Sequence, residues 1–439
     1  MPASPLDSAI YRHLFGDPEV AKLFTDSAEV RAMLVVEGAL AKAQGTLGMI
    51  PETAAAAIHR DAMEVVLDPA ALSAETGRSA VPVPALVDAF RTAMQAPDHA
   101  QFVHWGATSQ DIIETGLTLR LRQALVIAES RLTATAKALG TLAKSHAETP
   151  MAGRTYGQIA TPTSFGAIVA SWGEPLLRHL DRLAEMRPRL LTVTLTGAAG
   201  TLSAMGSEGS KVRAAMAKAL DLSDAEDSRH SSRDHIAELS SLCMLVTGSL
   251  GKMGEDLTLL TQSGISEVSL SASGSSSTMP QKQNPVAPSV LVALANAANA
   301  LNTGLQGTLV HRQQRDGGAW LTEWLLLPQM VLTTTKALAV AETLSQTIQP
   351  NPDTMAANLD DGLGLIHAEA LSFALAATLP RPTAQAEIKR LASEARDSGT
   401  PLPDLVAAAH PGTTLPNARA QLGTAPDQAR AFATRASSL

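Results

Sequence analysis

The sequence predicts an all-α protein, and three observations carry that prediction. Apolar residues make up 45% of the chain and aromatic residues only 3%. The interior must therefore be built from Ala, Leu, Val and Met, which favours helices packed on helices over sheets. Five long segments, residues 117–147, 163–191, 233–262, 286–309 and 319–348, repeat apolar residues at helical intervals. Almost nothing between residues 101 and 345 reads as strand.

Residues 1–100 read as short helices broken by prolines. In residues 29–48, for example, Val30, Met33, Leu34, Val36, Leu40 and Ala41 recur at near-helical spacing. This part is expected to form an N-terminal helical domain. Residues 101–348 carry the long segments and are expected to form a central bundle. Its clearest helix runs through Ile236, Leu239, Cys243, Val246, Leu250, Met253, Leu257 and Leu260 in steps of three and four. That is a heptad seam on a helix of roughly 30 residues, or about 45 Å. Met244 and Leu245, between the seam positions, are apolar too. Such a helix needs cover on more than one side, which points to a multi-helix bundle extended between subunits. In residues 349–439, Pro350, Pro352, Pro380, Pro382, Pro401 and Pro403 mark shorter helices and a small third domain. At 439 residues the chain is long enough for that division.

Net charge is −8. A mildly acidic surface offers no electrostatic footprint for nucleic acid or anionic membrane, so an acidic substrate must be held by a local cluster of cations. The single cysteine, Cys243, excludes an intrachain disulfide and a multi-cysteine metal site, and it reads as core. No run approaches the roughly 18 apolar residues of a membrane span. The opening MPASPLDSAIYRHLFGD carries charges where a signal peptide has its apolar run. A cytoplasmic protein is expected.

Three polar stretches interrupt the helices. Residues 273–286 read SGSSSTMPQKQNPV. Gly274 to Ser277 are small enough for backbone N–H groups to approach a ligand, Lys282 adds a compact cation, and Ser276, Ser277 and Asn284 add neutral hydrogen-bonding groups. The set suits a carboxylate or an anion forming from one. Residues 102–116 read FVHWGATSQDIIETG, with Thr108, Ser109 and Gln110 placed to cap a helix or to hold an anion at its N-terminus. Residues 151–166 read MAGRTYGQIATPTSFG, with Arg154, Thr155, Tyr156 and Gln158 as candidate ligands.

The first of these stretches resembles the signature loop of the fumarase/aspartase superfamily, GSSxMPxKxNP, from Ser276 through Pro285, with Ser275 where a glycine is usual. VHWGATSQD resembles the first signature region in the form found among 3-carboxymuconate cycloisomerases, and residues 151–166 resemble the second. The amine-releasing lyases of the superfamily carry a histidine where this chain has Tyr156, and a partnering glutamate where it has Ser289. A tyrosine of pKa about 10 is a poor proton donor to an amine at neutral pH, which disfavours that chemistry. The cycloisomerases also lack the pair, but often carry a histidine where Ile159 stands.

The resemblance implies a three-domain all-α fold whose long-helix bundle forms a homotetramer with active sites shared between subunits, acting on a small tricarboxylate without metal or organic cofactor. It implies that Ser276 is the proton donor or acceptor and that Lys282 and Asn284 stabilise an enolate-like intermediate. It further implies substrate contacts from Arg78, Ser79, His104, Thr108, Ser109, Arg154, Thr155, Gln158, His230, Ser277, Met279 and Arg315. Arg233 and Asp234 read equally as a structural ion pair, and Trp320, Glu323 and Trp324 as scaffold. An adenylosuccinate lyase-like enzyme and a catalytically silent paralogue remain the alternatives.

Overall fold

The computed structural model describes residues 4–271, 274–275, 279, 282–359, 362–414 and 417–439. It is built from helices. The principal ones are α1 (Asp26–Thr46), α2 (Glu52–Glu64), α3 (Val83–Met94), α4 (Ser109–Ser145), α5 (Phe165–Leu190), α6 (Gly209–Leu220), α7 (Asp234–Leu260), α8 (Val286–Gln306), α9 (Gly317–Ser345), α10 (Arg381–Ser398) and α11 (Ala425–Ser437). The chain groups into two compact units. One comprises Met1–Ser130, His179–Gly248 and Leu294–Ala339, the other Arg131–Arg178, Ser249–Ala293 and Val340–Leu439.

In the first unit, the apolar stripe of α1 packs with α2, α3 and α6 into one core that includes Met33, Leu34, Leu40, Ile58, Leu86, Phe90, Val212 and Met216. In the second, the C-terminal segment builds a small core of its own from Leu371, Leu375, Ile388, Leu391, Leu402 and Val406. There too, α5 and α11 approach so closely that a Cβ at Gly173 would fall 1.9 Å from the Phe432 ring, so a bare backbone is required at 173.

All eight heptad residues of α7 are buried. Cys243 is among them, and burial pushes its thiol up to about 11, as befits an inert core cysteine. By length and composition α9 could cross a membrane. Its buried residues, however, include Trp320, Leu327 and Met330 together with Glu323, which holds a buried arginine, so it has the make-up of a core helix.

Two features differ from the sequence reading. α4 begins at Ser109 rather than near residue 117; its first three turns bury Gln110, Asp111, Glu114, Thr115 and Thr118 and so hide from an apolar periodicity. The polar stretch read between two helices at residues 151–166 is mostly a hairpin, with β1 (Pro150–Thr155) antiparallel to β2 (Gln158–Ser164). Tyr156 and Gly157 both have positive φ, 52° and 73°. That is the two-residue turn whose twist matches the flanking strands.

Candidate active site

The polar core of the first unit is assembled around the N-terminus of α4. Asp111, in the first turn of that helix, is fully buried. Its Oδ2 accepts from the N–H of Thr108 at 3.0 Å and of Gly197 at 3.1 Å, and its Oδ1 accepts from the N–H of Thr196 at 2.9 Å. His230 Nε2 donates to the same Oδ1 at 2.9 Å. A carboxylate at a helix N-terminus is favoured by the unpaired amides there. Here it also fixes the 196–197 backbone and one ring nitrogen of His230.

The other ring nitrogen, Nδ1, accepts from Arg315 Nη2 at 3.4 Å. Arg315 further donates through Nε to Gln110 Oε1 at 2.6 Å, and through Nη2 to Thr108 Oγ1 at 3.5 Å and the Ala198 carbonyl at 3.4 Å. Asp316, the next residue, accepts from the Gly318 and Ala319 N–H groups and so starts α9, which anchors Arg315 in place. Thr108, His230 and Arg315 are thus brought together, with Ser109 half-buried beside them. Every partner of Arg315 is neutral: among the described residues no carboxylate reaches its guanidinium.

Behind this cluster lies an ionic trio. Arg233 donates through Nη1 to Glu114 Oε2 at 2.8 Å, and through Nε and Nη2 to Glu323 at 2.9 and 2.5 Å, with all three side chains buried. Arg233 therefore pairs with Glu114 and Glu323, not with its neighbour Asp234. The two acids raise its pKa against the lowering by burial.

His104 sits in the left-handed region with φ 64°, a conformation costly for a non-glycine residue. Two residues of α1 hold it there. Glu37 accepts from His104 Nδ1 at 2.7 Å, and Gln44 donates to the Trp105 carbonyl at 2.6 Å. Burial lowers the His104 pKa, but the charge and hydrogen bond of Glu37, with Asp111 beyond, outweigh it and the net shift is upward. Arg78 and Ser79 are exposed; Arg78 pairs with Glu75 at 2.5 Å and Ser79 donates to backbone carbonyls.

In the second unit, Arg154 makes a two-pronged pair with Glu267 at 2.8 Å on each arm, and the fully buried Glu267 also accepts from Asn358 at 3.0 Å. Thr155 and Gln158 pair across the exposed tip of the hairpin, beside the wholly exposed Tyr156 and the exposed Ile159. Of the signature loop, Gly274–Ser275 pair antiparallel with Gln283–Asn284, and the Lys282 N–H donates to the Met279 carbonyl at 2.9 Å. Met279, Lys282 and Asn284 are exposed, and no acid pairs with Lys282 among the described residues. Ser276 and Ser277 lie outside the described residues.

Sequence reasoning missed Glu37, Asp111, Glu114 and Glu267 and treated Gln110 as a helix cap or an anion holder, not as a partner of Arg315. Asp111 and Gln110 stand inside the quoted GATSQD motif. Glu37 and Glu267 carry no local signal, since an acid on an apolar helix face shows its purpose only through the partner it meets.

A lyase family model matches residues 16–298. Over 370 residues the chain is 40% identical to the 3-carboxy-cis,cis-muconate cycloisomerase of Pseudomonas aeruginosa, covering 82% of this chain and 80% of that protein. It is 33% identical over 382 residues to the N-acetyl-S-(2-succino)cysteine lyase of Enterococcus italicus, covering 86% and 84%. The crystal structure of 3-carboxy-cis,cis-muconate lactonizing enzyme from Pseudomonas putida matches with a TM-score of 0.91 at 33% identity, over 98% of this chain and 99% of that one. An all-α fold of long helices with a buried polar core at a helix N-terminus defines an enzyme of the fumarase/aspartase type. The chain belongs to that superfamily, within its lyase family.

Proposed function

We propose that the chain is a 3-carboxy-cis,cis-muconate cycloisomerase. One carboxylate of the substrate adds to a double bond within the same molecule, forming a carbon–oxygen bond. The displaced π electrons move onto a conjugated carboxylate as an enolate, and a proton delivered to the adjacent carbon gives the carboxymuconolactone. The reaction is an isomerisation and consumes no oxidant or cofactor. Ser276 is the proton donor. Lys282, Asn284, Thr155 and the loop amides stabilise the enolate, where charge builds up in the transition state.

The observation that carries this reading is Arg315, a guanidinium held in place by Gln110, Thr108 and His230, with no carboxylate among the described residues reaching it, and so left with its charge for a substrate carboxylate. Thr108, Ser109, His104 and His230 line the same binding role. Ser277, Met279, Gln158, Arg78 and Ser79 are further contacts, and Arg154 acts through its pair with Glu267. The same reading includes a homotetramer with shared sites, the three-part division at about residues 100 and 348, and a cytoplasmic location. Exposure of purified protein to 3-carboxymuconate and, separately, to adenylosuccinate, followed by ultraviolet absorbance, tests it. Loss of the muconate chromophore with no change in adenylosuccinate is expected; the reverse, or no change in either, overturns the reading.

A further inference from the structure

Gln110, the second residue of α4, is 1% exposed and uses both ends of its amide. Its Oε1 accepts from Arg315 Nε at 2.6 Å, while its Nε2 donates to Glu114 Oε1 at 2.6 Å and to the His230 carbonyl at 3.1 Å. The two charged neighbours make opposite demands, an acceptor for a guanidinium and a donor for a carboxylate. A neutral amide supplies both at once and does so at every pH. Glu114 is in turn fixed by Arg233, and Arg233 by Glu323 of α9. A carboxylate at position 110 could hold Arg315 as firmly, but it would neutralise the charge.

We infer that Gln110 is a positioning residue: it ties Arg315 to the buried Glu114–Arg233–Glu323 trio in a fixed direction while leaving its positive charge for the substrate. The inference rests on the proposed role of Arg315 as a carboxylate clamp. It also makes position 110 a point at which a change of one atom converts the site into a pH-dependent one.

The test is Gln110→Glu, which keeps the shape. Protonated, the new side chain still accepts from Arg315 through its carbonyl and donates its O–H to Glu114. Ionised, it neutralises Arg315 and faces Glu114 as a like charge. The groups that bear on its titration are Glu114 and Asp111 on its own helix, Arg315 and His230 against it, and Arg233 and Glu323 one contact further. Glu114 opposes ionisation and Arg315 favours it.

The KM of Gln110→Glu should match that of wild type at the acid end and rise about tenfold or more as pH increases, with kcat moving less. Gln110→Met should raise KM at every pH, and should add nothing when combined with Arg315→Met. A Gln110→Glu profile parallel to wild type, or additive effects of Gln110→Met and Arg315→Met, overturns the inference. If Gln110→Met loses its cooperative melt, the Gln110→Glu profile decides alone.

Should wild type leave 3-carboxymuconate untouched, the proposed activity fails, and position 110 is read from calorimetric binding of citrate as a tricarboxylate probe. Binding that needs Arg315 and weakens with rising pH in Gln110→Glu supports the positioning role. Binding that needs Arg315 but ignores Gln110, or no Arg315-dependent binding at all, overturns it.

Discussion

At the scale of single residues, what separates candidate substrate ligands from scaffold is whether a charge is already answered. The pair of Arg78 with Glu75 is exposed and weak, whereas Arg154 and Arg233 each face acids that are themselves buried. Arg315 and Lys282 face no carboxylate among the described residues. Their roles are separable by kinetics. Arg315→Met should raise KM by about thirtyfold or more, as loss of a charged clamp does, and leave kcat closer to wild type. Lys282→Met should act mainly on kcat, because its charge is matched to one that develops in the transition state. Interchanged effects would mean the clamp and the enolate stabiliser have been confused. Ser276→Ala should fold normally and lose at least about a hundredfold in turnover, the low end for a positioned acid; retention of more than a tenth of wild-type turnover would exclude it as the donor. His104 adds a test by stability. Its folded pKa lies above the ordinary 6.5, so the stability contributed by its pair with Glu37 is complete below about pH 6.5 and is lost as pH rises through the higher folded value. The gap in unfolding free energy between wild type and Glu37→Gln should therefore be larger at about pH 5.5 than at about pH 8.5. A gap that does not change with pH would show that Glu37 does not act on the charge of His104.

At the scale of elements, what was legible followed from apolar spacing. The seam of α7 from Ile236 to Leu260 is buried at every position that the heptad picked out. The stretch from Val30 to Ala41 forms the core face of α1 in the same way. The start of α4 was hidden because a helix that buries Gln110, Asp111, Glu114 and Thr115 has no apolar stripe there, and only tertiary partners pay for burying them. The hairpin of residues 150–164 was missed because its turn is Tyr156–Gly157 rather than the familiar Asn-Gly. Asp111 and Gln110 lay inside the motif that flagged the site, but their function depends on Thr196, His230 and Arg315, far away in the chain. The ionic trio across α4, α7 and α9 gives this level its own prediction. Removing Arg233 leaves Glu114 and Glu323 buried with like charge and without the guanidinium that joins them, which costs about 3–5 kcal/mol. Arg233→Met should lose about that much in urea unfolding, and a loss below about 1 kcal/mol would show that water or rearrangement answers the two acids.

At the scale of the whole molecule, the polar groups of the proposed site are divided between the two compact units. Thr108, His230 and Arg315 belong to one, and Lys282 with the signature loop to the other. Several long helices also present uncovered apolar side chains: Leu245 and Leu259 on α7, Val286 on α8, and Leu321 and Leu325 on α9. Leu325 is 69% exposed in a single chain. Helices that are apolar on a second face call for neighbours, and in a symmetric bundle those neighbours are copies of the same helices. If assembly places Arg315 of one subunit beside the signature loop of another, two variants that are each nearly silent at substrate far below the wild-type KM will complement under that condition. Ser276→Ala and Arg315→Met, mixed at equal concentration after mild dissociation and reassembly, would leave about a quarter of sites with neither lesion by random pairing. Activity returning toward about a quarter of wild type supports a site shared between chains. No return, in mixed assemblies verified by native mass spectrometry, would show that Arg315 and Ser276 act from the same chain, since then every site carries one of the two lesions.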